Sequence, residues 1–126
     1  MGLATAACVT TTTRFYLPST EEGTITTEQL RDRAGTLLSI ECARLVTEQP
    51  TASGVMELSV ETDSTGVTRR VRVDHGSGDR RVDDIVGGLS AQLLLEPPPE
   101  SGRARFAVTY TCSAGAAAVT VERASG

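Results

Sequence analysis

The stretch that decides the fold is Gly54–Pro99, GVMELSVETDSTGVTRRVRVDHGSGDRRVDDIVGGLSAQLLLEPPP. It predicts a strand, a tight turn, a second strand, a glycine-rich corner, a helix and a proline stop. Apolar and polar residues alternate over Val55–Glu61 and again over Val67–Val73, which is the period of a strand with one covered face. Between them, Asp63–Gly66 has the composition of a turn, and its glycine can take a positive φ at no steric cost. The sequence therefore predicts an antiparallel hairpin.

The register of this hairpin follows from matching its two covered faces. We expect three pairs on the apolar face: Thr62 with Val67, Leu58 with Val71, and Met56 with Val73. The same register sets two pairs on the solvent face: Glu57 with Arg72, and Ser59 with Arg70. Agreement of burial and polar pairing favours this arrangement. Arg69 is the exception, since it falls on the apolar face, and we expect its guanidinium to reach solvent at the rim.

A second helix is predicted after the corner Asp74–Asp79. Asp79 has the short carboxylate preferred at a helix N-cap. The buried stripe has the spacing of an amphipathic helix and consists of Val82, Ile85, Val86, Leu89 and Leu93. Gly87 and Gly88 each cost about 1 kcal/mol relative to Ala, so we expect close packing of helix on sheet to offset them. Pro97 ends the helix because proline lacks a backbone donor.

Upstream, Thr26 and Gln29 form a capping box that predicts the start of a first helix. Its apolar stripe consists of Leu30, Ala34, Leu37, Leu38 and Leu45. Glu41 lies within that stripe and has two interpretations, a buried carboxylate with a raised pKa or a residue at the margin of the helix. Pro50 is the predicted stop.

The remaining segments complete the predicted sheet. Arg103–Cys112 alternates as a third strand, and Ala116–Glu122 alternates weakly as a candidate edge strand. Val9–Leu17 either lies along a sheet edge or forms an extended stalk. The elements predict an α+β domain over residues 27–126, with an antiparallel sheet of three to four strands and two helices packed on one face, in α-β-β-α-β order. Residues 1–26 are predicted to be an anchor and stalk segment.

Composition bounds the class of protein. The chain has 126 residues, of which 39 % are hydrophobic and 3 % aromatic, so it suits one domain with a modest aliphatic core. The net charge of −4 argues against general binding of nucleic acid or of anionic membranes. No apolar run has the length needed to span a bilayer.

The three cysteines, Cys8, Cys42 and Cys112, are an odd number, so in an oxidising compartment one is free, modified or paired between chains. Cys8 follows the small-residue run Leu3–Ala7, which is typical of the end of a bacterial lipoprotein signal, and the cleaved chain would begin with an acylated cysteine. No basic or full apolar region precedes that run. The alternatives are a longer precursor or an ordinary cysteine at this position. If Cys8 is acylated, Cys42 and Cys112 make an even pair that can meet between the first helix and the third strand.

No combination of residues predicts catalysis, a metal or a cofactor. His75 is the only histidine, and with Asp74 and Asp79 nearby it could form a pH switch or a weak metal site, although a histidine in a polar corner is more often solvated. No Gly-x-Ser-x-Gly elbow surrounds Ser90. The chain has no lysine, and we interpret Arg69, Arg70 and Arg72 as a binding rim for carboxylates, the alternative being a solvated face.

The order of these features resembles that of the TonB carboxy-terminal domain superfamily. The shared pattern is Asp63–Val67 at the end of a strand, an Arg/Val strand, Gly76–Asp79, a helix led by Val82, and a Pro-Pro close before another strand. The chain is closer still to AgmX/PglI-type domains, associated with gliding and envelope machinery of myxobacteria and their relatives. That branch often carries a cysteine near the end of the first helix, which Cys42 matches. The resemblance covers about residues 27–112.

The resemblance implies a periplasmic or envelope-facing module that binds proteins by strand addition at a sheet edge. Two departures stand out. AgmX/PglI-type domains often carry a second cysteine in the later helix, where this chain has Ile85, so Cys112 would be a substitute partner for Cys42. TonB proteins also use a membrane-spanning helix and a long proline-rich spacer, which are not among these 126 residues.

We therefore expect a non-enzymatic adaptor of the bacterial cell envelope that binds a protein partner and no nucleic acid. The expected location is the periplasm or the outer membrane, lipid-anchored through Cys8, or alternatively outside the cell. One alternative is a structural subunit of a surface or multi-protein assembly. Another is a small-ligand-binding domain, which requires a cleft that gathers His75, Glu41 or the aspartates.

Overall fold

The computed structural model describes residues 13–48, 52–113 and 115–124. Within these ranges the chain forms one antiparallel five-stranded sheet and two helices. The elements are, in chain order, β1 (Phe15–Tyr16), α1 (Thr27–Glu48), β2 (Ala52–Thr62), β3 (Thr68–His75), α2 (Arg80–Ser90), β4 (Arg103–Ser113) and β5 (Ala116–Ala124). The strands lie side by side in the order β1-β3-β2-β4-β5. The predicted hairpin, β2–β3, therefore lies between two other strands, with β1 next to β3 and β4 next to β2.

The α+β class, the antiparallel sheet and the two helices are confirmed, but the predicted strand number and element order are wrong. The described residues form five strands rather than three to four, in the order β-α-β-β-α-β-β. The two edge strands make the difference. β1 has only two residues, too few to show an alternating pattern. β5 begins with three alanines, which have low strand propensity, yet it pairs with β4 along its whole length.

The hairpin is antiparallel as predicted, but the predicted register is wrong by two residues. Leu58 faces Val73, and Glu61 faces Arg70. Two offsets add up: beside the turn Thr62 faces Thr68 rather than Val67, and between Glu61 and Thr62 a bulge leaves Arg69 as an extra residue on β3. The bulge turns the Arg69 side chain to solvent. In a regular hairpin this side chain would have been on the apolar face.

Asp63 fixes the turn that produces this register. Its Oδ1 accepts hydrogen bonds from the Thr65 hydroxyl at 2.6 Å, from the Thr65 amide at 2.8 Å and from the Val67 amide at 3.1 Å. The hydrogen bonds from Thr65 contribute most to holding the pKa of Asp63 below its usual range. Gly66 completes the turn at a φ of 94°, where a side chain would be strained.

Helix α1 begins as predicted with a reciprocal cap. The Thr26 amide donates to Gln29 Oε1 at 2.9 Å, and the Gln29 amide donates to Thr26 Oγ1 at 3.1 Å. The buried stripe consists of Leu30, Ala34, Leu38, Cys42 and Leu45. The prediction was wrong for Leu37, which is 40 % exposed because it lies one residue off that stripe and hence about 100° around the helix. The predicted stop at Pro50 lies outside the described residues.

Helix α2 begins at the predicted N-cap, Asp79, but it ends at Ser90 rather than at the proline run. The chain then makes a turn at Ala91 and Gln92, and residues 92–94 bridge two parts of the fold. The Ile25 amide donates to the Gln92 carbonyl at 2.8 Å, and the Thr68 amide donates to the Leu93 carbonyl at 3.1 Å. Leu93 is therefore buried as predicted, although it is not helical.

Both helices pack on one face of the sheet, and a disulfide joins the two layers. Cys42 of α1 and Cys112 of β4 are bonded, with 5.4 Å between their Cα atoms, and both are fully buried. The predicted pairing is confirmed. The bond closes a loop of 70 residues that contains β2, β3 and α2.

The two mid-helix glycines of α2 have different surroundings. An added Cβ on Gly87 would overlap the ring of Tyr16, whereas nothing lies within 4 Å of an added Cβ on Gly88. The close contact with Tyr16 of β1 thus explains why position 87 is a glycine. No contact within the described residues explains Gly88.

We expect Gly88→Ala to stabilise the protein by about 1 kcal/mol through helix propensity, and Gly87→Ala to destabilise it by a similar amount. The physical reason is that Gly87→Ala gains the same helix propensity, but its methyl group displaces the Tyr16 ring that packs on α2. Urea unfolding of the two variants, each a matched control for the other, measures the difference. Equal stabilisation by both would show that Tyr16 is not packed against Gly87.

Candidate functional site

The strand β5 lies at one edge of the sheet. β-Branched residues at positions 119–121 favour the extended chain, and all nine residues from Ala116 to Ala124 face residues of β4. No described strand lies on the other side of β5, since it is the last strand in the sheet. Its outer backbone groups are therefore available to a further strand.

One hydrogen bond shows which backbone groups of β5 point outward. The Ala117 amide donates to Ser39 Oγ of α1 at 2.9 Å, so it points away from β4. The direction of backbone groups alternates along an antiparallel strand, and the pairing of β4 with β5 has no register shift. The amides and carbonyls of Val119, Val121 and Arg123 therefore point outward as well.

At Ala117 this edge is covered by α1, because Ser39 binds the outward amide, but from Ala118 to Val121 it lacks the features that usually protect edge strands. Natural sheets block their edges with charged residues, proline, bulges or very short strands. Residues 116–121 read AAAVTV and contain no charge and no proline, and the first charged side chains are Glu122 and Arg123. The length and composition of β5 therefore favour pairing with another chain.

A shallow groove of about 340 Å³ runs between β5 and α1. It is lined by Arg31, Asp32, Gly35, Thr36, Ser39, Ala117 and Val119. An added Cβ on Gly35 would lie 4.0 Å from the Ala117 carbonyl oxygen, which is an ordinary contact, so the closeness of α1 to β5 does not require glycine at this position. Side chains of a strand added to β5 would enter this groove on one face.

The opposite edge of the sheet, at β3, is covered by the chain itself. β1 pairs with Val71 and Arg72, which confirms the sheet-edge interpretation for the described part of Val9–Leu17. Arg14 Nη2 donates to Asp83 Oδ2 at 2.6 Å, and the Tyr16 hydroxyl donates to Asp84 Oδ1 at 2.7 Å. Burial and this hydrogen bond to Asp84 raise the pKa of Tyr16 to about 12. Residues 9–12 lie outside the described residues.

The predicted arginine rim is engaged with the chain's own carboxylates. Arg70 Nε donates to Glu61 Oε2 at 2.9 Å, and Arg72 Nε donates to Asp74 Oδ1 at 2.8 Å. Arg69 is exposed in the bulge. The three predicted rim residues therefore do not form one surface: two lie on the solvent face of the sheet and the third lies at the turn.

The corner that carries His75 does not gather catalytic groups. His75 is exposed, and Asp79 is turned toward α1 and α2 rather than toward it. Glu41 lies at the margin of α1, where its Oε1 contacts Arg44 at 3.1 Å and Arg81 at 3.4 Å. In the described ranges no group of three or more His, Cys, Asp or Glu side chains could hold a metal ion.

Asp79 instead ties the two helices together. Its carboxylate accepts from the Arg81 and Val82 amides at 3.1 Å each, as an N-cap does, and from two nitrogens of Arg44 at 3.0 Å each. The hydrogen bonds from Arg44 are the largest cause of an Asp79 pKa below its usual range, and burial opposes them. The same hydrogen bonds, with those to Glu41, raise the pKa of Arg44.

Asp79→Ala is expected to lower the free energy of unfolding by about 1 kcal/mol at neutral pH, through loss of the cap. Because folding depresses the pKa of Asp79, its stabilisation is present above the unfolded-state pKa of about 3.9 and is lost as the pH falls through the lower folded-state pKa. Urea unfolding between pH 7 and about pH 2 should show the two proteins converging in the acid range. Asp32→Asn, on the exposed face of α1, is the control, and a difference that persists at low pH would contradict the assignment.

Neither helix of the described chain combines the length and apolar character needed to cross a membrane. Cys8, the predicted lipidation site, lies outside the described residues. Comparisons with protein-family models, with curated proteins and with solved structures find no match to this chain.

Proposed function

We propose that this protein is a non-enzymatic binding module of the bacterial cell envelope, which takes an extended segment of a protein partner onto the outer edge of β5. The observation that carries the proposal is the run of outward backbone groups at Val119, Val121 and Arg123 on an edge without blocking charges before Glu122. Strand addition uses main-chain hydrogen bonds for affinity and alternate side chains for specificity.

The surroundings of β5 define what an added strand would contact. Alternate side chains of the partner would face the groove beside α1, where Arg31 and Asp32 offer one charge of each sign. The remaining side chains would lie next to Ala118 and Thr120, which are exposed on the open face of the sheet. The groove thus supplies the specificity that the backbone hydrogen bonds lack.

The envelope location is supported by the disulfide and by the position of the N-terminal segment. Buried disulfides persist mainly in oxidising compartments, such as the periplasm. Thr13 and the residues after it lie at the β1 edge, on the far side of the sheet from β5. An extended residue spans at most about 3.5 Å, so an acylated Cys8 would attach within about 20 Å of that edge. Such an anchor would leave β5 facing away from the membrane attachment.

The absence of enzymatic activity is part of the proposal. Within the described residues, the carboxylates Asp74, Asp79 and Asp83 are occupied by arginines, and His75 is solvated away from them. The resemblance to TonB-type carboxy-terminal domains points in the same direction, since that family binds proteins.

The second candidate function is a structural subunit that assembles through β5 itself. An antiparallel pair of β5 strands centred on Thr120 would set Val119 of one copy opposite Val121 of the other, so that outward groups meet outward groups. Ala116 would then face Ala124, and the Ala117 amide, which binds Ser39, would be an outward donor not used in the pairing. The observation that favours this candidate is that the unprotected edge is self-complementary.

A cross-linking experiment separates these functions. A photo-reactive amino acid at position 120 of the full chain, expressed in a bacterial envelope, should form an adduct with a partner protein. The adduct should persist with Val121→Thr and disappear with Val121→Pro, because proline removes an outward amide while the pairing with β4 remains. An adduct with the mass of a second copy would establish the subunit instead. An adduct unaffected by Val121→Pro would overturn both.

A further inference from the structure

The face of the sheet opposite the helices carries two rows of arginines from separate parts of the chain. β2 lies between β3 and β4, and its register sets Glu61 between Arg70 and Arg103. The next row sets Ser59 between Arg72 and Arg105. No helix in the described ranges covers this face. The four arginines, which we call the arginine face, are therefore Arg70, Arg72, Arg103 and Arg105.

The arginine face has a local excess of positive charge on a chain whose net charge is −4. Its four cations meet two carboxylates, Glu61 and Asp74, which bind the two arginines of β3. Among the described residues, no ion pair involves Arg103 or Arg105, and both are exposed. Two guanidinium groups of β4 are thus available to an external anion.

The arginines of β3 are already held in place. Arg70 lies over the ring of Phe15, 4.7 Å from its centre, while it binds Glu61. Ser59 is only 2 % exposed on this otherwise open face, and its hydroxyl donates to Asp74, which binds Arg72. Side chains that are fixed before binding lose less conformational entropy when a partner arrives.

Asp74 lies among these positive charges. Burial alone would raise the pKa of Asp74, but the hydrogen bonds from Ser59 and Arg72, aided by the charge of Arg105, hold it below its usual range. Arg105 therefore reaches into the same electrostatic environment as Arg72. Asp74 stays ionised at neutral pH and compensates only part of the cluster.

We propose that the arginine face binds an acidic, extended segment of a protein partner. Arg103 and Arg105 are two residues apart on one face of β4, so their side chains stand about 7 Å apart, which matches carboxylates at alternate positions of an extended peptide. The planar guanidinium group binds carboxylates through two parallel hydrogen bonds. Glu57 and Glu122 lie on the same face in the next row and disfavour a continuous phosphate surface such as a membrane or a nucleic acid.

The arginine face is separate from the outer edge of β5, so the outcome of its test does not depend on strand addition. The test uses the full disulfide-bonded chain and a capped peptide of sequence Glu-Ser-Glu-Ser-Glu, with Gln-Ser-Gln-Ser-Gln as its neutral match. Binding is followed by calorimetry and by amide chemical shifts. We expect the acidic peptide to bind, to weaken as salt rises, and to shift the amides of β3 and β4.

Arg103→Gln with Arg105→Gln should weaken binding by about tenfold or more, because two charge-assisted contacts are lost. The control variant, Arg33→Gln with Arg80→Gln, changes the net charge equally on the exposed face of the helices and should bind as the wild type does. Both pairs are exposed, so both variants should keep the wild-type fold, which amide spectra check. Equal weakening by the two variants would reduce the effect to net charge and overturn the proposal. Binding of phosphatidylglycerol vesicles that also depends on Arg103 and Arg105 would assign the face to a membrane instead, and would equally overturn it.

Discussion

Replacing Cys42 and Cys112 together with alanine is expected to lower the free energy of unfolding by about 4 kcal/mol, the largest effect of any change considered. The disulfide closes a loop of 70 residues, and a cross-link of that span removes much of the chain entropy of the unfolded state. Both side chains are fully buried, and alanine adds a loss of packing. Urea unfolding of the oxidised wild type and of the double variant measures the difference.

Thiol counting provides the control for this prediction. Denatured but unreduced wild-type protein should react at no more than one thiol, that of Cys8, and reduction should add two. Cys8→Ser should leave the stability contributed by the bridge in place. A double variant as stable as the wild type, or three reactive thiols before reduction, would contradict the pairing.

Arg14→Met is expected to destabilise the protein by about 3 kcal/mol, because it leaves the buried carboxylate of Asp83 without its cation. The exposed fraction of the Asp83 side chain is only 3 %, and that of Arg14 is 27 %. Without Arg14, the carboxylate would keep only the donors of Ser77, the amide at 2.9 Å and the hydroxyl at 2.6 Å. The value is at the lower end for a buried pair since Arg14 is partly exposed. Chemical unfolding at neutral pH measures it.

A double-mutant cycle tests whether the charge itself is responsible. Asp83→Asn removes the buried charge, so Arg14→Met should cost much less in that background than in the wild type. The expected coupling is about 2 kcal/mol. Additive effects of the two changes would mean that Arg14 stabilises β1 by packing alone.

The sequence predicted elements well where local chemistry determines them. The capping box of Thr26 and Gln29, the N-cap at Asp79 and the turn at Asp63 each depend on side chains within four residues of their partners. These features need no knowledge of distant contacts. The pairing of Cys42 with Cys112, which are 70 residues apart, was predicted only on the condition that Cys8 is acylated.

Features that depend on distant contacts were not predictable in the same way. The hairpin register failed because alternation showed neither that the turn sets Thr62 opposite Thr68 nor that a bulge at Arg69 shifts the later pairs by one more residue. The early end of α2 goes with distant contacts, because the amides of Ile25 and Thr68 donate to the carbonyls of Gln92 and Leu93 just after the helix. The helical spacing of apolar residues continues to Leu93, so the sequence did not indicate that the helix ends at Ser90.

The candidate site illustrates the same limit. Periodicity gave only weak support for β5, and nothing in the sequence indicates which of its backbone groups point outward. That direction became visible through the contact of Ala117 with Ser39, which are 78 residues apart. Likewise, Arg103 and Arg105 join Arg70 and Arg72 only because β2 lies between their strands.

Native-state hydrogen exchange of the isolated protein, followed by NMR, tests most directly the central claim that the outer edge of β5 is open. The amides expected to exchange fast are those of Val119, Val121 and Arg123. The amides expected to exchange slowly, because they bond to β4 or to Ser39, are those of Ala117, Ala118, Thr120 and Glu122. Such alternating protection is the predicted result. Equal, slow exchange at all seven positions would show that the edge is already covered and would contradict the claim.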